Sequence, residues 1–414
     1  MEFNSQPSFN LHLDLNSCFA SIEQQANPFL RGKSVAVASY PTPGGCILAA
    51  SIEAKKVGIK TGMRVFEGRR FDPRLIVLKP DPWKYRNVHL KLRELISEYT
   101  NDFSPKSIDE FVLNLRDYPA LRNGSIKAVG REIKMRIKKE IGEWLTVSVG
   151  IAPNRYLAKI AAGLKKPDGL EEINKDNFFE VYSKLKLTDL TGIKTRNAIR
   201  LNTMGIYSVL DFYRSPVWRL RAAFHSITGL YWHMRLSGFE VDDISSKRGS
   251  FGNSVAIGKN LSKVEELTPI LSRLTEKMSA RLRSSGFSAK GIHLAIVYKD
   301  GSWWHRGRQM PRSFFDSKDF YKAAFKLLVE ASVRRPVLNI AVSCFSLEKT
   351  HSLQLDFFND LAKQKRLVEA EDLINERWGG FSVSSARSFG GAAAVLDRIA
   401  FGGVKELEEF SLNS

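Results

Sequence analysis

Three acidic residues within the first 110 positions have the side-chain type and spacing that could bind divalent cations. Asp14 lies in the alternating segment 9–16, and Asp109 and Glu110 are adjacent, directly before the apolar run 111–115. Magnesium prefers such hard oxygen ligands and keeps water and phosphate oxygens in its shell. Two such ions about 4 Å apart can activate a hydroxyl and stabilise a leaving pyrophosphate. Taken singly, each carboxylate is more often a solvated surface residue.

The polypeptide must bring these groups together. Leu11, Leu13 and Leu15 alternate with polar residues, which predicts a strand with Asp14 on its polar face. Neighbouring residues of a flat strand point to opposite sides, so an Asp-Glu pair can serve one site only near a turn. Residues 106–107 allow such a turn.

Other kinds of site are disfavoured. The sequence contains no HExxH motif and no Cys/His cluster, which argues against zinc, and no GxxxxGK[ST] loop for a nucleotide. The three cysteines, Cys18, Cys46 and Cys344, form no CxxC pair and cannot make a disulfide framework. No apolar run reaches the roughly 18 residues of a membrane span. The N-terminal residues do not resemble a secretory signal. We therefore expect a cytoplasmic protein without a membrane partner.

The predicted elements indicate an α+β protein of several domains. The first 170 residues mix strands and helices around one sheet, and residues 175–240 are nearly all helical. Residues 241–249 are polar and form a plausible linker. Residues 251–348 contain two long helices, and a tail with a short helix at 359–376 follows. The strands predicted after the linker are 254–257, 292–298 and 337–345.

The charge of the chain points to a polyanionic partner. The 63 Lys and Arg exceed the 44 Asp and Glu, which gives a net charge of +19 and a pI near 9.7. Residues 245–350 hold 19 basic and 8 acidic residues, interspersed with aromatic and aliphatic ones. This pattern predicts a folded basic domain that binds nucleic acid. The alternative is a basic protein with solvated charged faces.

Four segments in order resemble one family. They are DLNSCFASIEQQANPFLRGKSVAV (14–37), ILAASIEAKKVGIKTGM (47–63), SIDE (107–110) and VSVGIAPNRYLAKIAAGLKKPDG (147–169). Together they resemble the Y-family, or translesion, DNA polymerases, on the side of the bacterial DNA polymerase IV proteins. The resemblance covers about residues 9–350.

The resemblance implies a right-hand polymerase with a helical thumb and an additional α/β little-finger domain. The thumb segment 189–206, with Gly192 and Gly205 on either side of an amphipathic stretch, is similar to a helix-hairpin-helix. The domains would be the palm (1–20 and 81–172), the fingers (21–80), the thumb (173–240), the linker (241–249), the little finger (250–350) and a C-terminal tail (351–414).

The resemblance also assigns the active site. The family's metal-binding carboxylates fall on Asp14, Asp109 and Glu110, which would hold two Mg²⁺ ions, and Leu15 would contribute its backbone carbonyl. The family's steric gate, an aromatic ring that excludes a ribose 2′-hydroxyl, falls on Phe19. From the residues alone, that phenylalanine could equally be a core residue at a helix start.

The triphosphate contacts depart from the family pattern. Where the family has Tyr and Arg in AASYEAR, this chain has Ile52 and Lys55. Lysine keeps the charge but not the two-pronged geometry of arginine, and isoleucine cannot hydrogen-bond. Lys166, in KKPDG, matches the family lysine that reaches the phosphates. Asn16 replaces a second acidic residue that is not a metal ligand in the family.

DNA contacts are expected in the thumb and the little finger. Gly192 and Lys194 belong to the hairpin, whose backbone N–H groups would face a phosphate. Trp303 and Trp304 are expected to pack in the core rather than stack on bases. The remaining candidate phosphate contacts are basic residues of the linker and little finger: Lys247, Arg248, Arg281, Arg283, Arg306, Arg308 and Arg312.

The tail contains a candidate clamp-binding peptide. Gln354, Leu355, Asp356, Phe357 and Phe358 resemble the QL[SD]LF peptide by which bacterial polymerases bind the sliding clamp, with Phe for the second Leu. Extended segments with apolar anchors dock in such grooves.

The resemblance therefore implies a template-directed DNA polymerase without proofreading. Its expected partners are primer–template DNA, a dNTP and the sliding clamp, and we expect a nucleoid-associated monomer. An inactive accessory homologue remains an alternative because of Ile52 and Lys55, although all three carboxylates are present. A two-metal nuclease is a further alternative, against which the order of the segments and the gate aromatic argue.

Overall fold

The computed structural model describes residues 2–122, 125–243, 248–350, 361–391 and 395. These residues divide into two compact units, 2–243 and 248–395. The first unit contains three hydrophobic cores, and the second is built around one.

In the described residues, the strands are β1 (Asn10–Leu15), β2 (Val35–Ala38), β3 (Ile47–Ala50), β4 (Ile76–Leu78), β5 (Phe103–Pro105), β6 (Glu110–Asn114), β7 (Val147–Ala152), β8 (Leu170–Glu172), β9 (Ser250–Ala256), β10 (Phe287–Tyr298), β11 (Trp303–Phe314) and β12 (Val337–Lys349). In the same residues, the α-helices are α1 (Cys18–Ala26), α2 (Ile52–Lys56), α3 (Val65–Phe71), α4 (Pro82–Ser97), α5 (Ile126–Arg136), α6 (Arg155–Leu164), α7 (Phe178–Lys184), α8 (Thr195–Thr203), α9 (Val209–Arg214), α10 (Val217–Phe224), α11 (Thr228–Leu236), α12 (Val264–Ser284), α13 (Ser317–Glu330) and α14 (Leu361–Trp378). No helix of this described part is long and apolar enough to cross a membrane.

A five-stranded sheet, ordered β5-β6-β1-β7-β8, carries the acidic residues. Strand β1 lies at its centre and pairs antiparallel with β6 and β7, which places Asp14 opposite both Glu110 and Ser148. The alternation in β1 predicts this strand correctly, and its three leucines are fully buried. The sheet thereby fixes two of the three carboxylates side by side.

The polar face of β1 is not open to water as a solvated strand would be. His12 is 1% exposed, and α6 packs against β1 and β7. Gly150 lies opposite His12, and a Cβ there would come within 2.0 Å of the Ala158 carbonyl oxygen. Only glycine therefore lets α6 approach the sheet this closely. Helices α4 and α5 contribute side chains to the hydrophobic core that contains the three leucines of β1, here called the leucine core.

Two further parts complete the first unit. A three-stranded sheet, β3-β2-β4, has its own small core between residues 35 and 78. Helices α7 to α11 follow β8 and share a core with α6. Residues 175–240 are therefore mostly helical, with loops between the helices, where nearly all of the segment was expected to be helical.

The second unit is a four-stranded antiparallel sheet, β11-β10-β12-β9, with α12 and α13 packed on it. The prediction of three strands here was incomplete, because it omitted β11. That strand is rich in charged and polar residues, and most of its side chains are exposed. Its strand conformation comes from pairing with β10 at the edge of the sheet, which local sequence pattern does not reveal.

The helix predicted at 359–376 is present as α14, and its position extends the second unit beyond the expected boundary at residue 350. Helix α14 packs onto the second unit, with Val368 buried and the Gln364 amide donating to Asp316 over 2.8 Å. Arg283 donates two hydrogen bonds of 2.7 Å to Asp372. Helix α14 therefore belongs to the second unit.

Candidate active site

A cavity of about 460 Å³ opens in the first unit at the end of β1. The start of α1, the turn before β6, helix α2 and the segment after α6 also line it. Asp14, Asp109, Phe19, Lys55 and Lys166 all contribute to the wall. With Leu15, six predicted site residues from distant parts of the chain thus line one cavity.

The two aspartates of the cavity are partly removed from water. Burial raises the pKa of Asp14, and the nearby Lys166 ammonium opposes this effect. Burial also raises the pKa of Asp109, which accepts a short hydrogen bond from the Ser107 hydroxyl. The predicted turn is present, because the backbone N–H of Lys106 donates to the Glu110 carbonyl over 2.8 Å. This turn brings Asp109 to the end of β1.

Glu110 lies close to the two aspartates, next to α6, and we call these three carboxylates the acidic group. Ligand atoms of His12, Asp14 and Glu110 all lie within 4.8 Å of one another. The Glu110 carboxylate raises the pKa of both Asp14 and Asp109, as a neighbouring negative charge must. All three predicted carboxylates are therefore close enough to interact, and Leu15 lines the cavity beside them.

The sequence analysis missed two residues that contact the acidic group. The Lys159 ammonium lies 2.6 Å from Glu110 Oε2, and His12 Nε2 lies 3.9 Å from the same oxygen. Burial lowers the pKa of His12 to about 3, with a further contribution from Lys159, so the imidazole is neutral. The position of His12 two residues before Asp14 on one strand face could have revealed it. No comparable sequence signal marks Lys159.

Phe19 is a core residue that also lines the cavity, and its role as a steric gate stays a prediction. Its side chain is 5% exposed and belongs to the leucine core, yet it also lines the cavity. Its ring stacks on Tyr85 with the ring centroids 4.3 Å apart. The Tyr85 hydroxyl donates to Glu23 over 2.9 Å, and Lys84 pairs with that carboxylate at 2.9 Å. The Phe19 ring therefore rests on a second ring that is itself held in place.

Three lysines line the cavity, and two of them, Lys55 and Lys166, interact with its other charged groups. Lys55 projects from α2, whose first turn is capped by the Ser51 hydroxyl, and Ile52 lies beside it in the wall. Burial lowers the pKa of Lys55, with a contribution from the positive charge of Lys166. Lys166 Nζ lies 2.6 Å from Asp14 Oδ2. An anion entering the cavity would meet both ammonium groups.

The two glycines of the predicted helix-hairpin-helix segment flank a helix in the structure. Helix α8 runs between Gly192 and Gly205, whose φ angles of 93° and 73° lie in the left-handed region that glycine tolerates. The Asn197 amide donates to the Gly192 carbonyl over 3.0 Å. Lys194 precedes the first turn of α8 as its N-cap. This helix start is exposed, as an interaction with phosphate would require.

Two predicted phosphate contacts of the second unit are engaged within the fold. Besides its ion pair with Asp372, Arg283 donates to the Phe315 carbonyl over 2.9 Å. Arg281 donates to the Gly252 carbonyl over 3.1 Å and to the Asn253 side chain over 3.0 Å. A phosphate would have to compete with these contacts.

The arginines of β11 are better placed for an external anion. Arg306 and Arg308 are exposed and share one carboxylate, that of Glu330, at 3.0 and 2.7 Å. Arg312 projects from the same strand. The Arg248 guanidinium lies 3.8 Å from the centroid of the Phe251 ring. Lys247 lies outside the described residues.

The two tryptophans of β11 differ. Trp304 packs against the core of the second unit, as expected, whereas Trp303 is 67% exposed. Alternation along a strand explains the difference. The candidate clamp-binding residues 354–358 lie outside the described residues.

Comparison with known proteins gives consistent results for sequence and fold. Residues 13–163 match the impB/mucB/samB family, and residues 248–357 match the C-terminal domain of that family. The chain is 32% identical to DNA polymerase IV of Pelotomaculum thermopropionicum over 93% of this chain and 96% of that protein. It is 31% identical to DNA polymerase IV of Bacillus anthracis, covering 89% and 90% of the two chains.

Solved structures show the same similarity. A Y-family DNA polymerase chimera of Dbh and Dpo4 aligns with a TM-score of 0.72 and 25% identity, over 82% of this chain and 98% of that one. An insertion ternary complex of Dbh DNA polymerase aligns with a TM-score of 0.55 at 24% identity, over 81% and 98%.

Proposed function

Because the chain belongs to the impB/mucB/samB family of Y-family DNA polymerases, it is a translesion DNA polymerase that uses divalent metal ions, and we propose that Asp14, Asp109 and Glu110 hold these ions. The observation that carries the proposal is a cavity lined by Asp14, Asp109 and three lysines, with a carboxylate oxygen of Glu110 within 4.8 Å of one of Asp14. Nothing supports the alternative of an inactive accessory homologue, since all three predicted metal-binding carboxylates are present.

The donor set suits magnesium. Asp14, Asp109 and Glu110 offer hard carboxylate oxygens, and the Leu15 carbonyl adds another, which is the ligand chemistry that Mg²⁺ prefers. The neighbouring His12 is neutral, so it adds no positive charge that would oppose a cation. Two such ions would lower the pKa of the primer 3′-hydroxyl and stabilise the negative charge that develops on the leaving pyrophosphate.

The protein's own residues orient the nucleotide. The Lys55 and Lys166 ammonium groups face the cavity and would neutralise the triphosphate. Lys55 offers one charge rather than the planar fork of arginine, so it neutralises without fixing phosphate geometry. The Phe19 ring would occupy the space of a ribose 2′-hydroxyl and so select dNTPs.

We assign the domains as the sequence suggests, and the fold supports this. The sheet that carries the acidic residues is the palm, the three-stranded sheet the fingers, and α7 to α11 the thumb. The second unit is the little finger. In it, Arg306, Arg308 and Arg312 are the best candidates for phosphate contacts because they project from an exposed edge strand.

Further partners follow from the sequence. Residues 354–358 would bind the sliding clamp as an extended peptide. We propose that the enzyme acts as a nucleoid-associated monomer in the cytoplasm.

Primer extension with one dNTP at a time, with and without Mg²⁺, tests the assignment. We expect templated addition only with the metal, and a loss of several orders of magnitude in Asp109→Ala with duplex affinity nearly unchanged. Extension by Asp109→Ala at a near wild-type rate would show that the metal-ligand assignment is wrong.

A further inference from the structure

Two lysines form ion pairs with carboxylates of the candidate metal site. Lys166 Nζ lies 2.6 Å from Asp14 Oδ2, and Lys159 Nζ lies 2.6 Å from Glu110 Oε2. Each ammonium neutralises one carboxylate that would otherwise repel its acidic neighbours. The same ammonium opposes a divalent cation at that oxygen, because like charges at this distance repel. Each lysine is therefore a competitor of the metal.

The two lysines differ in what they can reach. Lys166 lines the cavity beside Lys55, and 43% of its side chain is exposed. Lys159 projects from α6 toward Glu110 and the buried His12, and in the described residues it is not part of the cavity wall. An anion that enters the cavity thus meets Lys166 and not Lys159.

We propose that Lys166 exchanges between Asp14 and the triphosphate of the incoming nucleotide, so that nucleotide binding releases Asp14 for a divalent cation. The proposal rests on the proposed function, because it takes the anion in the cavity to be a dNTP. Metal and nucleotide then favour each other's binding, and this coupling is reciprocal.

The exchange predicts a specific double-mutant cycle in nucleotide binding without metal. In EDTA, Asp14 competes with the triphosphate for Lys166, so Asp14→Asn should tighten the binding of a fluorescent dCTP by about threefold, the size of a partly exposed ion pair. In a Lys166→Met background that competition no longer exists. In that background, Asp14→Asn should increase the affinity for dCTP only by removing the charge repulsion between Asp14 and the triphosphate.

Asp109→Asn provides the matched control. It removes a negative charge from the same cavity wall, but its carboxylate bonds to Ser107 and not to Lys166. Its gain reports simple repulsion and should be equal with and without Lys166. The exchange is contradicted if Asp14→Asn gives equal gains in both backgrounds.

Metal binding without nucleotide supplies an independent measurement. Mn²⁺ titrations followed by electron paramagnetic resonance should show about threefold tighter binding in Lys166→Met than in the wild type, because a competing ion pair has been removed. Lys166→Gln should give the same increase in Mn²⁺ affinity. This result would show that the effect comes from the lost charge and not from the shape of the methionine side chain. Equal affinities in the wild type and both variants would overturn the proposal.

These results are distinguishable from failure of the proposed function. A wild-type enzyme that extends primers with Mg²⁺, combined with equal gains in the cycle, retains the polymerase assignment and refutes only the exchange. A wild-type enzyme that binds no Mn²⁺ and extends no primer refutes both.

Discussion

Replacing Phe19 by alanine should open the nucleotide cavity to ribonucleotides. The ring cannot retreat from a 2′-hydroxyl, because it stacks on Tyr85, and Tyr85 is held by Glu23. Forcing an extra group into such a packed contact typically costs about 1–3 kcal/mol. At 1.36 kcal/mol for each factor of ten, this corresponds to roughly 5- to 150-fold discrimination.

The assay is single-nucleotide incorporation opposite a template G. The quantity measured is kcat/KM for dCTP divided by kcat/KM for CTP, and we expect this ratio to fall about 5- to 150-fold in Phe19→Ala. Because the side chain is buried, its removal also leaves a cavity, which for Phe→Ala costs about 3–5 kcal/mol of stability. Assays should therefore run well below the melting temperature of the variant.

Phe19→Leu and Tyr85→Phe serve as controls for packing. Leucine fills much of the volume and should lower the ratio less than alanine does. Tyr85→Phe removes the hydrogen bond to Glu23 but keeps the supporting ring, so discrimination should change little. An unchanged ratio in a folded Phe19→Ala enzyme would refute the steric argument.

Three further predictions concern charge and the tail. Arg306→Gln combined with Arg308→Gln should reduce the slope of log K against log[salt] for duplex binding by up to about 2, at roughly 0.9 for each phosphate that is no longer neutralised; weaker binding confined to one DNA sequence would contradict this. Burial raises the pKa of Asp109 above its ordinary value, so the ionised carboxylate destabilises the metal-free native state relative to the unfolded chain. In EDTA, Asp109→Asn should accordingly increase the free energy of unfolding at pH 7, and the increase should vanish as the pH falls below about 3.9, the ordinary value for aspartate; urea titrations that show no gain at pH 7 would exclude it. Alanine at the apolar anchors of the clamp peptide should abolish clamp-stimulated synthesis on long templates and leave synthesis on short primers intact, whereas a joint loss of thermal stability and basal activity would indicate a structural role for the anchors Leu355, Phe357 and Phe358.

Much of the site was accessible from the sequence because it depends on local pattern. Alternating leucines predict β1 and the face of Asp14, and the Asp109-Glu110 pair before an apolar run predicts a turn that leads into a strand. These features depend on neighbours within a few residues, and the quoted family segments added the roles.

Other features depend on contacts between distant segments. Lys159 becomes part of the acidic group only because Gly150 lets α6 lie close to the sheet. Strand β11 exists because β10 supplies hydrogen-bond partners for a sequence without strand periodicity.

Arg283 illustrates the same limit for charge. From the sequence it is one basic residue among several in a DNA-binding domain, whereas the fold pairs it with Asp372, 89 residues later in the chain. Composition determines that the protein is strongly basic and therefore suited to a polyanion. Which cations remain available to that polyanion is decided by tertiary packing, because an ion pair forms only where the fold brings two opposite charges within a few ångströms.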